Sequence, residues 1–184
     1  MSSIDLAILG IVMERPQSAY DIQRDVDAHH FPRWTKISTA SVYRRVLRLE
    51  EEGYLEGTVV PGERFADKTV YAVTEAGRRY FQELMEAYAA QPVPLRFDFN
   101  VVVANLNKLP LPEALPLLDS LEQTLRADAQ ATADYAAQYA DIPLTGRTIF
   151  QQQGKVYEAL LAWLEAFRQE VREHGREEQS DGSL

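Results

Sequence analysis

Basic side chains are concentrated in one short stretch of an otherwise acidic chain. The 184 residues carry a formal net charge of −9, yet residues 28–49 contain five arginine or lysine side chains and no acid. The five are Arg33, Lys36, Arg44, Arg45 and Arg48. Guanidinium and ammonium groups bind phosphate oxygens, and arginine also pairs with the major-groove edge of guanine. This stretch therefore favours the binding of a nucleic acid, although a solvated helix face is the plainer alternative.

Most of the basic stretch falls on a predicted amphipathic helix over residues 38–52. Ser38 or Thr39 is the expected N-cap, and Gly53 is the expected residue after the C-terminus. At 100° per residue an apolar stripe forms from Val42, Val46 and Leu49, extended by Tyr43 and Leu47. The remaining arc, about 100° wide, carries a hydroxyl and three guanidinium groups, from Ser41, Arg44, Arg45 and Arg48.

The elements around this helix have a recognisable order. We predict helices over 3–13 and from Ser18 to the region of Pro32, strands over 55–60 and 69–73, and a further helix over 75–90. The second and third helices then form a helix-turn-helix. The hairpin that follows corresponds to the wing of a winged helix, so the first 90 residues are expected to be a DNA-binding domain.

The second half of the chain has a helical pattern. Gln91–Pro94 marks a domain boundary. A short helix over 97–106 follows, although Val101–Val103 would also suit a strand, and long helices are predicted over 112–139 and 147–174. The expected fold is mainly α with a small β-hairpin. Its domains are a winged helix-turn-helix domain (1–90), a C-terminal antiparallel helical dimerisation domain (91–177) and a disordered tail (178–184).

The last long helix carries an apolar stripe at three- and four-residue steps. The stripe consists of Ile149, Val156, Leu160, Trp163 and Phe167. A hairpin of two such helices has little core of its own. We therefore expect it to bury this stripe against a second copy in a twofold homodimer. The alternative is a monomeric bundle packed on the first domain.

The candidate DNA-binding residues lie on the third helix, in the turn before it and on the wing. The turn and the start of the helix supply groups for bases or phosphates, and Lys36 and Arg48 suit the DNA backbone. The wing supplies Arg64 and Lys68. The full set is Lys36, Ser38, Thr39, Ser41, Tyr43, Arg44, Arg45, Arg48, Arg64 and Lys68.

Aromatic residues in the second domain suggest a possible effector pocket. An apolar pocket for a small aromatic ligand would be lined by Arg96, Phe97, Tyr157 and Trp163. Ordinary core packing is the alternative for each aromatic. Arg96 would either bind a ligand carboxylate or pair with Asp98, and the pair is the preferred interpretation.

Other chemistry has little support in the sequence. With no cysteine, thiolate catalysis and cysteine-ligated metal sites are excluded. Adjacent His29 and His30 would point about 100° apart on a helix and would chelate a metal poorly. No phosphate-binding loop, cofactor motif or nucleophile–base set is present, so we expect no metal, no cofactor and no enzyme. No signal peptide or membrane span is evident, which predicts a cytoplasmic protein.

Several sequence stretches together resemble the PadR-like family of bacterial transcriptional regulators. They are Leu6–Gly10, Arg15–Pro16, Tyr20–Ile22, Ser41–Tyr43, Leu47–Leu55 and Tyr71–Gly77. The resemblance covers about the first 90 residues. It implies a winged-helix dimer with a helical C-terminal domain, commonly a repressor released by a small molecule or another signal.

By position, the resemblance places recognition residues at Ser38, Thr39, Ser41, Tyr43 and Arg44, with Arg64 and Lys68 on the wing. Two residues depart from the family pattern. Ala19 replaces a common glycine, and Arg44 replaces a common proline, so the base preference is expected to differ. We therefore predict a homodimeric, sequence-specific DNA-binding regulator, a repressor in preference to an activator, that recognises an inverted repeat. A protein-docking scaffold and a small enzyme on a winged-helix dimerisation domain are the alternatives.

Overall fold

The computed structural model describes residues 2–61 and 67–181, with Arg33 and residues 175–181 described by their backbone alone. The chain divides into two compact units, Met1–Val93 and Pro94–Leu184. Each unit has its own cluster of buried apolar side chains.

The first unit contains the predicted elements in their predicted order, but the second helix ends at Ala28 instead of near Pro32, and a short strand and a short helix are added. Its helices are α1 (Ser3–Glu14), α2 (Ala19–Ala28), α3 (Phe31–Trp34), α4 (Val42–Glu51) and α5 (Glu75–Ala89). Its strands are β1 (Gln17–Ser18), β2 (Leu55–Val60) and β3 (Lys68–Val73). The predicted helix over 38–52 is shorter than expected, because a 3-10 turn over Thr39–Ser41 occupies its first residues.

The sheet has one strand more than the predicted hairpin. The strand order is β1-β3-β2, and both pairings are antiparallel. In the hairpin Leu55 lies opposite Val73 and Val60 opposite Lys68. Gln17 of β1 pairs with Tyr71 on the other side of β3. Two residues are too few to show the period-two pattern by which a strand is predicted.

Helix α1 is the centre of the first core. Its residues Ile8 and Leu9 are fully buried, as the apolar composition all round this helix predicts. Helices α2, α4 and α5 and strand β3 all contact α1. From α4 the core receives Val42, Val46 and Leu49, each with no exposed surface. The position of α4 is thus fixed by its inner stripe.

The ends of α2, α4 and α5 show how local chemistry sets the element boundaries. The Ser18 hydroxyl accepts a hydrogen bond from the Asp21 amide at the start of α2, and Thr74 does the same for Gly77 at the start of α5. Gly53 follows α4 with a φ of +78°, in the left-handed region that glycine adopts most easily.

The second unit is helical throughout its described elements. They are α6 (Asn100–Asn105), a 3-10 turn over Leu106–Lys108, α7 (Leu111–Gln138) and α8 (Leu144–Asp181). Residues 101–103 are therefore helical rather than extended. Helix α8 begins three residues before the predicted Arg147 and continues beyond the predicted end at His174, so it includes residues 178–181 of the predicted disordered tail. Residues 182–184 of that tail lie outside the described chain.

Helices α7 and α8 pack on each other around a small core. Its buried members include Leu118 and Leu125 of α7 and Leu164 of α8. Arg168 of α8 is nearly buried and binds the carboxylates of Asp119 and Glu122 on α7. Within residues 2–61 and 67–181, no helix is both long enough and apolar enough to cross a membrane.

Candidate nucleic-acid interface

Helix α4 presents an exposed face opposite its buried stripe. Tyr43 is 55% exposed and Leu47 is 36% exposed, so neither extends the apolar stripe inward as the sequence predicts. Arg44 and Arg48 are also exposed on this helix. The outer face of α4, defined by Tyr43, Arg44, Leu47 and Arg48, thus offers an aromatic ring, an apolar side chain and two guanidinium groups.

Arg45 does not belong to this outer face. Its Nε donates to Asp5 Oδ1 of α1, and its Nη2 donates to Asp5 Oδ2 at 2.7 Å. Asp5 is 1% exposed, while the Arg45 side chain is 19% exposed. These hydrogen bonds raise the pKa of Arg45 above its ordinary value. The expectation that Arg45 contacts DNA is corrected, because a buried carboxylate holds its guanidinium towards the core.

Arg44 and Arg48 differ in their freedom to bind a ligand. Arg48 Nε donates to Glu52 Oε1 at 3.0 Å, and its side chain is 68% exposed. Such an exposed ion pair contributes about 0.3–0.5 kcal/mol to stability. A phosphate can therefore readily replace Glu52 as the partner of Arg48. Arg44 has no hydrogen bond or ion pair to any described residue. Of the two guanidinium groups on the outer face, that of Arg44 is the more available.

The turn before α4 is held by side chains that the sequence assigns to DNA. Thr39 Oγ1 donates to Asp27 Oδ1 at 2.5 Å, which ties the turn to the end of α2. The Ser41 amide donates to the Ser38 carbonyl at 3.0 Å. Contrary to the sequence prediction, the residue that precedes α4 is Ser41, and neither its side chain nor that of Ser38 makes a capping hydrogen bond. The first amides of α4 therefore lack a side-chain acceptor. Lys36, just before this turn, is exposed.

The predicted wing residues are described only in part. Lys68 begins β3, is 57% exposed, and its Nζ lies 3.9 Å from Asp21 of α2. That distance is at the limit of an ion pair, so Lys68 remains accessible. Arg64 lies outside the described residues.

Two features of this region are not evident from the sequence. Tyr20 of α2 carries a largely apolar ring, yet this side chain is 72% exposed. Glu52 accepts hydrogen bonds from both Arg45 and Arg48, so one carboxylate offsets two of the three arginines in the predicted basic arc. The spacing of Glu52 from these arginines, four and seven residues along one helix, is the signal that could have indicated this pairing.

The second unit contains an open cleft of about 840 Å³. Three of the four residues assigned to an effector pocket, Arg96, Phe97 and Tyr157, line this cleft. Trp163 does not line the cleft. Its ring lies 6.0 Å from Phe99 and 5.7 Å from Phe167, centroid to centroid, in a row of stacked aromatics. Arg96 and Asp98 both line the cleft without forming the expected ion pair.

Among the described residues, no group of three or more histidine or acidic side chains has the arrangement of a metal site. His29 instead uses its Nδ1 for a 2.6 Å contact with the Asp25 carbonyl.

Comparison with known proteins agrees with the winged-helix geometry. Residues 8–83 match the model of the transcriptional regulator PadR-like family. No protein with a curated description matches this chain in sequence. Solved structures that share the fold along nearly the whole chain include two of Bacillus subtilis PadR and one of Vibrio cholerae AphA.

Bacillus subtilis PadR in complex with operator DNA is 17% identical, with a TM-score of 0.73, and the match covers 93% of this chain and 98% of that one. The same regulator in complex with p-coumaric acid is 17% identical, with a TM-score of 0.74 and coverage of 93% and 99%. The Vibrio cholerae virulence activator AphA is 20% identical, with a TM-score of 0.66 and coverage of 93% and 99%. Residues 8–83 of this chain are thus similar to the PadR-like family of transcriptional regulators, and the chain shares the winged-helix fold of the solved structures.

Proposed function

We propose that this chain is a sequence-specific DNA-binding repressor that acts as a homodimer and responds to a small molecule. The observation that carries the proposal is the outer face of α4, the second helix of the helix-turn-helix. Recognition helices place such a face in the major groove, with residues near the helix start on the base edges. Bacillus subtilis PadR, which shares the fold, has been solved in complex with operator DNA, and this supports the same class of partner.

Each side chain of the interface has a role that follows from its chemistry. Arg44 pairs with a guanine through two parallel hydrogen bonds, because its guanidinium is exposed and has no described partner. Tyr43 and Leu47 contact bases or thymine methyl groups beside it. Lys36, Arg48, Ser38, Ser41 and Lys68 bind phosphates, and Thr39 holds the turn through Asp27.

The overall charge makes this binding selective rather than strong. Sequence-independent affinity comes from neutralised phosphates, and Glu52 offsets both Arg45 and Arg48. With a net charge of −9, the chain has little attraction for DNA beyond the contact surface. Discrimination must then come from direct contacts with bases.

Dimerisation is proposed through the second unit. Val101 of α6 is 69% exposed, and Val156 and Trp163 of α8 are more than a third exposed. The small core between α7 and α8 leaves these apolar side chains exposed within one chain. A second copy of the chain would cover them. A twofold dimer would place two copies of α4 on half-sites about one helical turn apart.

In vitro selection from a random DNA pool at near-physiological salt tests the proposed DNA binding. An enriched inverted repeat with half-sites about 10 base pairs apart is the expected result. Selection of single half-sites would contradict the proposed homodimer. Equal, weak binding of all sequences would refute sequence readout and favour a protein-docking scaffold. Repression is tested separately, by placing the selected site over a reporter promoter and measuring transcription with and without the chain.

The cleft of the second unit is the proposed effector site. Its apolar lining and the guanidinium of Arg96 suit an aromatic carboxylate, and PadR of Bacillus subtilis has been solved with p-coumaric acid. The matched probes are p-coumaric acid and its uncharged methyl ester. We expect the acid to release the selected duplex more effectively than the ester, and Arg96→Gln to abolish this difference. An equal response of the wild type and the Arg96→Gln variant would place the effector elsewhere.

A further inference from the structure

One buried carboxylate connects three helices of the winged-helix unit. Asp5 of α1 is 1% exposed. It accepts hydrogen bonds from two nitrogens of Arg45 on α4 and from the Tyr80 hydroxyl of α5, the last at 3.1 Å. Tyr80 is itself held by a stacked Tyr54, with ring centroids 4.3 Å apart. The carboxylate therefore lies at a fixed junction of α1, α4 and α5.

The junction constrains α4 in a way that its apolar stripe does not. Apolar burial is non-directional, so Val42, Val46 and Leu49 tolerate small rotations of the helix about its axis. A guanidinium that donates two hydrogen bonds to one carboxylate has a fixed geometry. Arg45 is adjacent in sequence to Arg44, so its direction about the helix axis also fixes the direction of Arg44.

Stability alone does not account for such a pair. Desolvation of two charges opposes their attraction, and well-packed apolar residues of similar volume often stabilise a protein as well or better. A buried pair with defined geometry is, however, suited to specifying one arrangement of the elements that it joins. Here the element that it joins to the rest of the domain is the helix proposed to read bases.

We propose that Asp5 is a positioning residue for DNA readout: through Arg45 it fixes the rotation of α4 and so aims Tyr43 and Arg44 at the bases. Asp5 itself touches no DNA. The inference rests on the function proposed above, because it concerns how the outer face of α4 is oriented.

The test replaces the pair without leaving a lone buried charge. In the double variant Asp5→Leu/Arg45→Met the charges are exchanged for apolar side chains, and the chain is expected to keep its fold and its melting temperature within a few degrees. Tyr80→Phe is the second variant. It removes one hydrogen bond to Asp5 and retains the Arg45 pair, so it stays folded if the double variant does not.

The readout is the affinity for the selected duplex divided by the affinity for random DNA. We expect a loss of about tenfold in this ratio for the double variant, the order that one misaligned bidentate base contact would cost, and a smaller loss for Tyr80→Phe. In repeated selections the double variant should relax several adjacent base positions, whereas Arg44→Ala relaxes one. This spread separates misorientation of the helix from the loss of a single contact.

The contrary outcomes are equally specific. A folded double variant with the wild-type ratio and the wild-type selected sequence would show that the pair is only structural, and would overturn the inference. If the double variant does not fold, an unchanged ratio for Tyr80→Phe would overturn it. Failure of the wild type to select any sequence is a different result, because it refutes the proposed function itself.

Discussion

Arg44→Ala is expected to weaken specific DNA binding without changing stability. Arg44 is exposed and has no partner among the described residues, so its removal leaves no buried group unpaired. The unfolding midpoint should therefore stay within experimental error. A lost bidentate contact to guanine costs about 1–3 kcal/mol, which corresponds to about 5- to 150-fold in affinity for each half-site.

The assay is fluorescence anisotropy with the selected duplex and with random DNA, at one fixed salt concentration. Arg44→Lys keeps the charge and loses the bidentate geometry, so it should lose specificity while retaining affinity for random DNA. Arg79→Ala is the matched control. Arg79 lies on α5, is 65% exposed and pairs only with Glu75 at 3.3 Å among the described residues, so its loss should change neither affinity appreciably.

Two results would refute this reasoning. An equal loss for Arg44→Ala on selected and random DNA would make Arg44 a phosphate contact. No loss on either DNA would place the outer face of α4 away from the duplex.

Three further predictions concern stability. Gly77→Ala should lower the free energy of unfolding by about 1–3 kcal/mol or more, because its Cβ would lie 2.1 Å from the Tyr54 carbonyl oxygen. Gly154→Ala should raise the free energy of unfolding by about 0.5–1 kcal/mol, since no atom lies within 4 Å of the added Cβ. Urea unfolding of both glycine variants measures the two effects, and equal effects would contradict the difference in space around the two glycines. Gln17→Met should raise the free energy of unfolding by about 1–3 kcal/mol, because both amide atoms of this buried side chain lack a hydrogen-bond partner among the described residues. A lower free energy of unfolding for this variant in urea would contradict the prediction. Burial and the nearby Asp5 charge raise the pKa of Tyr80 from its ordinary 10 to about 12, so its contribution to stability is complete below pH 10 and is lost as the pH rises to about 12. Tyr80→Phe should flatten thermal unfolding midpoints over that interval, and an unchanged pH profile would contradict the shift.

The sequence predicts the fold because its local signals and its long-range packing agree. The apolar composition of α1 predicts its burial, and helical periodicity predicts the buried stripe Val42, Val46 and Leu49 of α4. The capping residues Ser18 and Thr74 and the glycine at 53 mark element ends by chemistry that acts within a few residues. The two-residue β1 and the four-residue α3 escape prediction, since neither is long enough to show a period.

The candidate site is less predictable, because the direction of a charged side chain depends on partners far away in the sequence. Arg44 and Arg45 are adjacent and chemically identical, yet only Arg45 meets Asp5, which lies forty residues away. Tyr20 has an apolar ring at a helical position but faces outward. For Trp163, the sequence indicates an aromatic residue of the pocket but not that its ring stacks near Phe99 and Phe167.

Hydroxyl-radical footprinting of the chain, free and bound to its selected duplex, tests the assignment of the outer face of α4 to DNA most directly. Tyr43 on α4 is 55% exposed and Met85 on α5 is 51% exposed, so both oxidise readily in the free chain. We predict that the duplex slows oxidation of Tyr43 severalfold and leaves the rate at Met85 unchanged. Binding of the duplex with Tyr43 still oxidised at its free rate would contradict this assignment.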